Sequence, residues 1–139
     1  MCSTCSTAAA PAVIGGQPNI TGSRVCRDGR LSPISGLDAA GGRRRDLGLP
    51  HVLFARTGTI LSVTQRQSDV IDTFRVGEDD RPRGAIVDQT TGVGPFGATI
   101  TRRDQLLTAE NFGAAQTLGA LASYRFRDDA TLAPIGPSA

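Results

Sequence analysis

From His51 onward the chain alternates short apolar runs with clusters of turn-forming residues, which is the pattern of consecutive strands. HVLFAR and TGTILSVTQ predict two strands joined near Thr57-Gly58. DVIDTFRV, where Val70, Asp72, Phe74 and Val76 share one face imperfectly, predicts a third strand, and GEDDRP predicts the loop after it. RGAIVDQ reads as a further strand ended by the Gly- and Pro-rich TTGVGPFG, and ATITRRDQLL follows with Ile100 flanked by threonines. SYRFRDD sets Tyr124 and Phe126 against Arg125 and Arg127 in strand-like alternation. One segment has a different period. TAENFGAAQTLGALA places Phe112, Ala115, Leu118 and Ala122 on one stripe behind a Thr108 cap, and predicts a helix. Gly113 and Gly119 oppose it at about 1 kcal/mol each relative to Ala.

Residues 1–50 show no sustained period. Val13-Ile14, Leu31 to Ile34 and Leu47 to Leu49 are brief apolar pieces among Gly15-Gly16, Pro18, Pro33 and Gly41-Gly42. VCRDGRLSPI predicts a small hairpin around Asp28-Gly29; the rest reads as an extended arm. The predicted fold class is therefore α+β and β-rich. It is a compact antiparallel sandwich or barrel-like domain of about six strands with one helix (51–139, closing in a short tail), preceded by a long extended N-terminal arm (1–50).

Composition narrows this. The 139 residues are 39% hydrophobic, with no Trp and one Tyr, so the core must be modest and built from Val, Ile, Leu, Ala and five Phe. All 15 basic residues are Arg and only two of the 13 acids are Glu; scarce Lys and Glu beside abundant Thr, Gly and Asp lean the chain towards strands and turns. A net charge of +2 does not imply nucleic acid or a membrane surface. No apolar run approaches the ~18 residues of a membrane span, and Met1 to Ala10 lacks the basic and apolar regions of a signal peptide. The expectation is an unsecreted protein with reduced thiols.

Three groups of residues carry candidate chemistry. Cys2 and Cys5 have zinc-knuckle spacing, with Cys26 and the single histidine, His51, as the further ligands a tetrahedral site needs; the second close-spaced pair is missing, so no metal or other cofactor is expected, and zinc is kept as the weaker alternative. Arg43-Arg44-Arg45 is a short cationic run without interleaved aromatics, suited to phosphates or to an acidic subunit surface. Asp79 and Asp80 beside Arg81 and Arg83, Arg102 and Arg103 beside Asp104, and Arg125 and Arg127 beside Asp128-Asp129 repeat a theme of opposite charges at strand ends. Such pairs suit a register-setting interface better than a catalytic centre. TTGVGPFGATI lacks the Lys and helix of a phosphate loop, and no Ser lies in a nucleophile elbow.

These features predict a non-enzymatic structural subunit of a large symmetric assembly, a virus or bacteriophage virion component of head, neck or tail. Its partners would be copies of itself and other subunits, with the arm clasping neighbours, Arg43 to Arg45 anchoring it, and edges such as GTILSVT continuing a sheet between subunits. The expected location is the virion, and otherwise the cytoplasm. The alternatives are a small Arg-dependent nucleic-acid-binding module and a zinc-stabilised accessory protein.

Overall fold

The computed structural model describes residues 5–14, 19–34, 39–40, 51–111 and 119–136. Within them the chain is all-β, in three antiparallel sheets taken in sequence order. The first sheet holds β1 (Cys5–Ile14), β2 (Asn19–Cys26), β3 (Leu31–Pro33) and β4 (Ala39–Ala40), with β3 and β4 both paired to β2. The second is a meander of β5 (His51–Phe54), β6 (Ile60–Gln65), β7 (Val70–Val76) and β8 (Pro82–Gln89). The third repeats that meander with β9 (Pro95–Ile100), β10 (Gln105–Glu110), β11 (Ala120–Phe126) and β12 (Leu132–Pro134).

The expected α+β class is corrected on two points. Thr108 to Glu110 close β10, and Ala120 to Ala122 open β11, the two strands being paired with Thr108 opposite Ala122. The ends of the expected helix are therefore strand, and 112–118 lie outside the described residues. Of the expected stripe, Ala122 stands on β11, and the Thr108 cap faces it from β10. The expected arm contributes β1 to β4, which form a sheet of their own. GTILSVT is not a free edge either, because β6 lies between β5 and β7.

The imperfect alternation of DVIDTFRV has a packing cause. Val70 to Phe74 are all buried, because the second sheet is covered on both faces. Leu61, Val63 and Phe74 meet Ile20 of the first sheet. Ile71, on the other face of β7, meets Leu106, Ala122, Tyr124 and Leu132 of the third. Each large apolar side chain so enclosed contributes roughly 1.5–3 kcal/mol. Successive sheets touch mainly through β1 against β5 and β5 against β9, so they lean together at their first strands.

The hairpins whose turns are described each pass through one left-handed residue: Gly29, Gly58, Asp69, Asp80, Asp104 or Ala130. The three outer hairpins have matching bonds. Cys26, Gly77 and Arg127 each donate N–H to the carbonyl four residues on (2.7, 3.2 and 2.9 Å), and Asp28, Asp79 and Asp129 each accept from the N–H two residues on (3.1, 3.4 and 2.9 Å). Counting back from these turns aligns Ile20-x-Gly22-x-Arg24-Val25, Ile71-x-Thr73-x-Arg75-Val76 and Leu121-x-Ser123-x-Arg125-Phe126. The chain is thus an internal repeat of about fifty residues, each unit one four-stranded sheet. The second and third sheets, consecutive four-stranded meanders packed face to face, have the arrangement of neighbouring β-propeller blades.

Candidate functional site at the loop end of the inner strands

The meanders give each sheet a turn end, carrying residues 27–30, 55–59, 77–81, 101–104 and 127–130, and a loop end, carrying 66–69, 90–94 and the connection after β10. The two ends differ in chemistry.

The turn end gathers most of the charged residues singled out in the sequence. Arg24 Nε meets Asp80 Oδ2 at 2.8 Å and its Nη2 donates to the Asp79 carbonyl at 3.3 Å, which joins the first sheet to the second. Arg83 and Arg81 pair with Asp79 at 2.5 and 3.8 Å. Arg75 Nη2 reaches the Asp128 carbonyl of the third sheet at 2.5 Å. Arg102 and Arg103 are exposed in the β9–β10 turn, where Asp104 accepts from Arg56 N at 2.7 Å. Arg127 is exposed in the last hairpin, beside Asp129, whose carboxyl is held below its usual range by the Thr131 hydroxyl and N–H. Arg125 stands exposed on β11. Exposed pairs of this kind are worth at most ~1 kcal/mol each, so this end sets alignment between sheets more than it stabilises them. Arg43, Arg44 and Arg45 lie outside the described residues.

The cysteine–histidine set is not brought together. Cys26 is buried at the turn end of β2, whereas His51 begins β5 at the loop end of the next sheet. Cys5 is the register partner of Cys26 across β1 and β2, and Cys2 lies outside the described residues. Among the described residues no cluster of three His, Cys, Asp or Glu is placed to hold a metal ion.

The loop end is polar, closely bonded and partly sequestered. Gln65 and Glu110 hold the same place, as the last residues of β6 and β10, and both are buried. Gln65 Nε2 donates to the buried Asp72 carboxylate and its Oε1 accepts from Ser68 Oγ at 2.9 Å. Glu110 Oε1 accepts from Gly92 N at 3.1 Å, and a Cβ at Gly92 would overlap that carboxylate and force it to shift. Asp69 has φ 56° and Oδ1 accepting from Gly94 N at 2.6 Å; its carbonyl takes both the N–H and hydroxyl of Thr90, at 3.0 and 2.8 Å. Tyr124 Oη accepts from Thr91 N at 2.9 Å.

On the innermost strand of the second sheet, half-buried His51 accepts the Ala98 N–H through Nδ1 at 2.7 Å. A neutral ring therefore carries its proton on Nε2, and His51 presents a donor rather than a base. This end carries an imidazole donor at the start of β5 and the part-buried Asp69 carboxylate in the β6–β7 loop, polar groups of the kind that orient a hydroxyl- or carbonyl-bearing ligand. Sequence reasoning had His51 only as a metal ligand and missed Asp69, Gln65 and Glu110. The signal for Gln65 and Glu110 was the polar residue closing β6 and β10 at buried parity, visible only once the repeat is aligned; Asp69, in the loop before β7, gave none.

The sequence matches no family model and no curated protein. Solved structures do match the fold. The protein from Bacteroides fragilis described as a "putative 6-phosphogluconolactonase" aligns with a TM-score of 0.78 at 18% identity, over 94% of this chain and 35% of its own. The protein so described from Bacteroides uniformis aligns at 0.61 and 16%, over 86% of this chain and 34% of its own. The chain thus spans about a third of the length of the structures it resembles. Both are described as enzymes, which points away from the expected virion subunit and its head, neck or tail setting, and that expectation is corrected. What the chain has is an enzyme-like fold of repeated antiparallel sheets, which sits against the expected non-enzymatic character and is shared with two proteins of that description.

Proposed function

We propose that this chain forms part of a propeller that hydrolyses a sugar lactone at the loop end of its inner strands. The observation that carries the reading is the fold likeness over 94% of the chain. The loop-end chemistry is consistent with it. Opening a lactone requires a donor for the oxyanion that develops on the carbonyl, and a base for the attacking water. His51 Nε2–H is the donor in this reading, its tautomer fixed by Ala98 N. Asp69 is the base: Gly94 N occupies Oδ1, and Oδ2 is left for water.

The test is acid release in a pH-stat from δ-gluconolactone and from its 6-phosphate. The protein should exceed the spontaneous rate, and His51→Ala should lower kcat ~100-fold with little change in melting temperature, as loss of an oxyanion donor does. No acceleration of either lactone by the folded protein would refute the reading.

A further inference from the structure

The loop-end chemistry leaves the sulfur of the first sheet unused. Cys5 opens β1, Cys26 closes β2, and the two are register partners. The register of β1 on β2 shifts between Cys5 and Ala9, so the strand returns to the ladder at the cysteine. The kind of pair follows from the backbone of Cys26. Its N–H donates to the Arg30 carbonyl at 2.7 Å, and its own carbonyl accepts from Gly29 N at 2.9 Å. Both groups point into the outer turn and away from β1, so Cys5 and Cys26 stand opposite each other as a non-hydrogen-bonded pair.

In such a pair the Cα atoms stand about 4.5 Å apart, closer than at the alternating hydrogen-bonded positions, and the two residues share one face of the sheet. A disulfide spans Cα separations of roughly 4.4–6.8 Å, so a bridge closes here with no change of register. The shared face is the one turned to the second sheet. Ile20, in step with Cys26 along β2, packs against Leu61 and Val63, and Arg24 meets Asp80. Cys26 is a buried thiol, 6% exposed. The pair therefore belongs to a joint between two sheets of this chain.

We propose that Cys5 and Cys26 form an oxidative cross-linking site, a dithiol that a small disulfide such as oxidised glutathione converts into a bridge between β1 and β2. One cysteine thiolate attacks the glutathione disulfide, forming a mixed disulfide and expelling a glutathione thiolate. The other cysteine thiolate attacks the protein sulfur of that adduct, forming the protein S–S bond and expelling the second glutathione thiolate. The protons lost by the two cysteines end on the two glutathiones, so the protein is oxidised as the glutathione disulfide is reduced. The bridge closes the loop 5–26, which restrains mainly the unfolded chain, and ties the Ala-rich β1 to its neighbour. Cys2, three places before Cys5, is the competing partner, and a Cys2–Cys5 bridge would leave β1 untied from β2. This site is independent of any lactone chemistry.

The test is to incubate the folded protein with oxidised glutathione and map its cysteines without reduction. The monomer should lose about 2 Da, the two hydrogens of the exchange, and yield a peptide linking Cys5 to Cys26. Its melting temperature should rise by roughly 5 °C or more and fall back on adding dithiothreitol. Cys2→Ser should behave as the wild type does. Cys5→Ser, which leaves the buried Cys26 in place, should gain no melting temperature on oxidation, and neither should Cys26→Ala. A bridge from Cys2 to either other cysteine, glutathione adducts that persist on both Cys5 and Cys26, a protein that stays reduced, or a Cys5→Ser variant stabilised as the wild type is would each overturn the proposal.

Discussion

Ala130 adopts φ 70° in the outer turn of the third sheet, where an L side chain is disfavoured, and Gly29 fills the same position in the first at φ 83°. The strain is held by context: Ala130 is fully enclosed, and its carbonyl accepts the Thr73 hydroxyl at 2.7 Å. Gly29 has open space around it, so a methyl there costs only backbone energy. Gly29→Ala should therefore lower stability by about 1–2 kcal/mol, whereas Ala130→Gly should be neutral or gain up to about 1 kcal/mol. Urea denaturation midpoints compare the two, and equal losses would refute the account. Asp28-Gly29 and Thr57-Gly58 were readable as turns because glycine marks a left-handed residue. Asp104 and Ala130 gave no such mark, since tertiary bonds rather than propensity hold them there. His51 was visible as the lone histidine, but its tautomer depends on Ala98, a neighbour no local pattern reveals.

Between elements, Asp88 on β8 links the outer strands of two sheets by accepting the Leu132 N–H at 3.1 Å. Burial raises its carboxyl above the ordinary value of 3.8, against the lowering effect of that bond. A carboxyl raised in the folded state favours folding fully below its unfolded value, and that contribution is lost as pH rises through the folded value. Wild type should therefore lose stability relative to Asp88→Asn as pH climbs from about 3 to 6, since the amide still accepts from Leu132 and carries no charge. Parallel pH profiles of the two proteins would contradict this assignment. β5 to β8 were legible because each is a short apolar run between Gly, Pro or Asp turns, whereas ATITRRDQLL concealed the 101–104 turn between β9 and β10 and the helix reading took the end of β10. The sheet formed by β1 to β4 was not, because Ala, Ser and Thr dominate it and Pro33 interrupts its edge. The helix reading joined Thr108 and Ala122 along one local period, whereas they are cross-strand partners on β10 and β11, a pairing that no single-segment period reveals.

On the scale of the whole molecule the described residues form a row of three units, and the second has both faces covered by the other two. Recognising the row in the sequence required aligning Ile20, Ile71 and Leu121 across units that share little beyond an Arg, an Asp and a turn. Stability in such a row is a sum of unit and nearest-neighbour contributions, so opening begins at the ends and moves inward. Amide hydrogen exchange should then be graded along the chain, slowest in β6 and β7 and faster in β2, β3, β11 and β12. A single uniform rate across all three sheets would mean that they open as one body. The same gradient makes the two outer sheets the places where any covering partner is felt first: whatever shields the exposed Leu31 or Leu121 should slow exchange in β2, β3, β11 and β12 before it touches the centre.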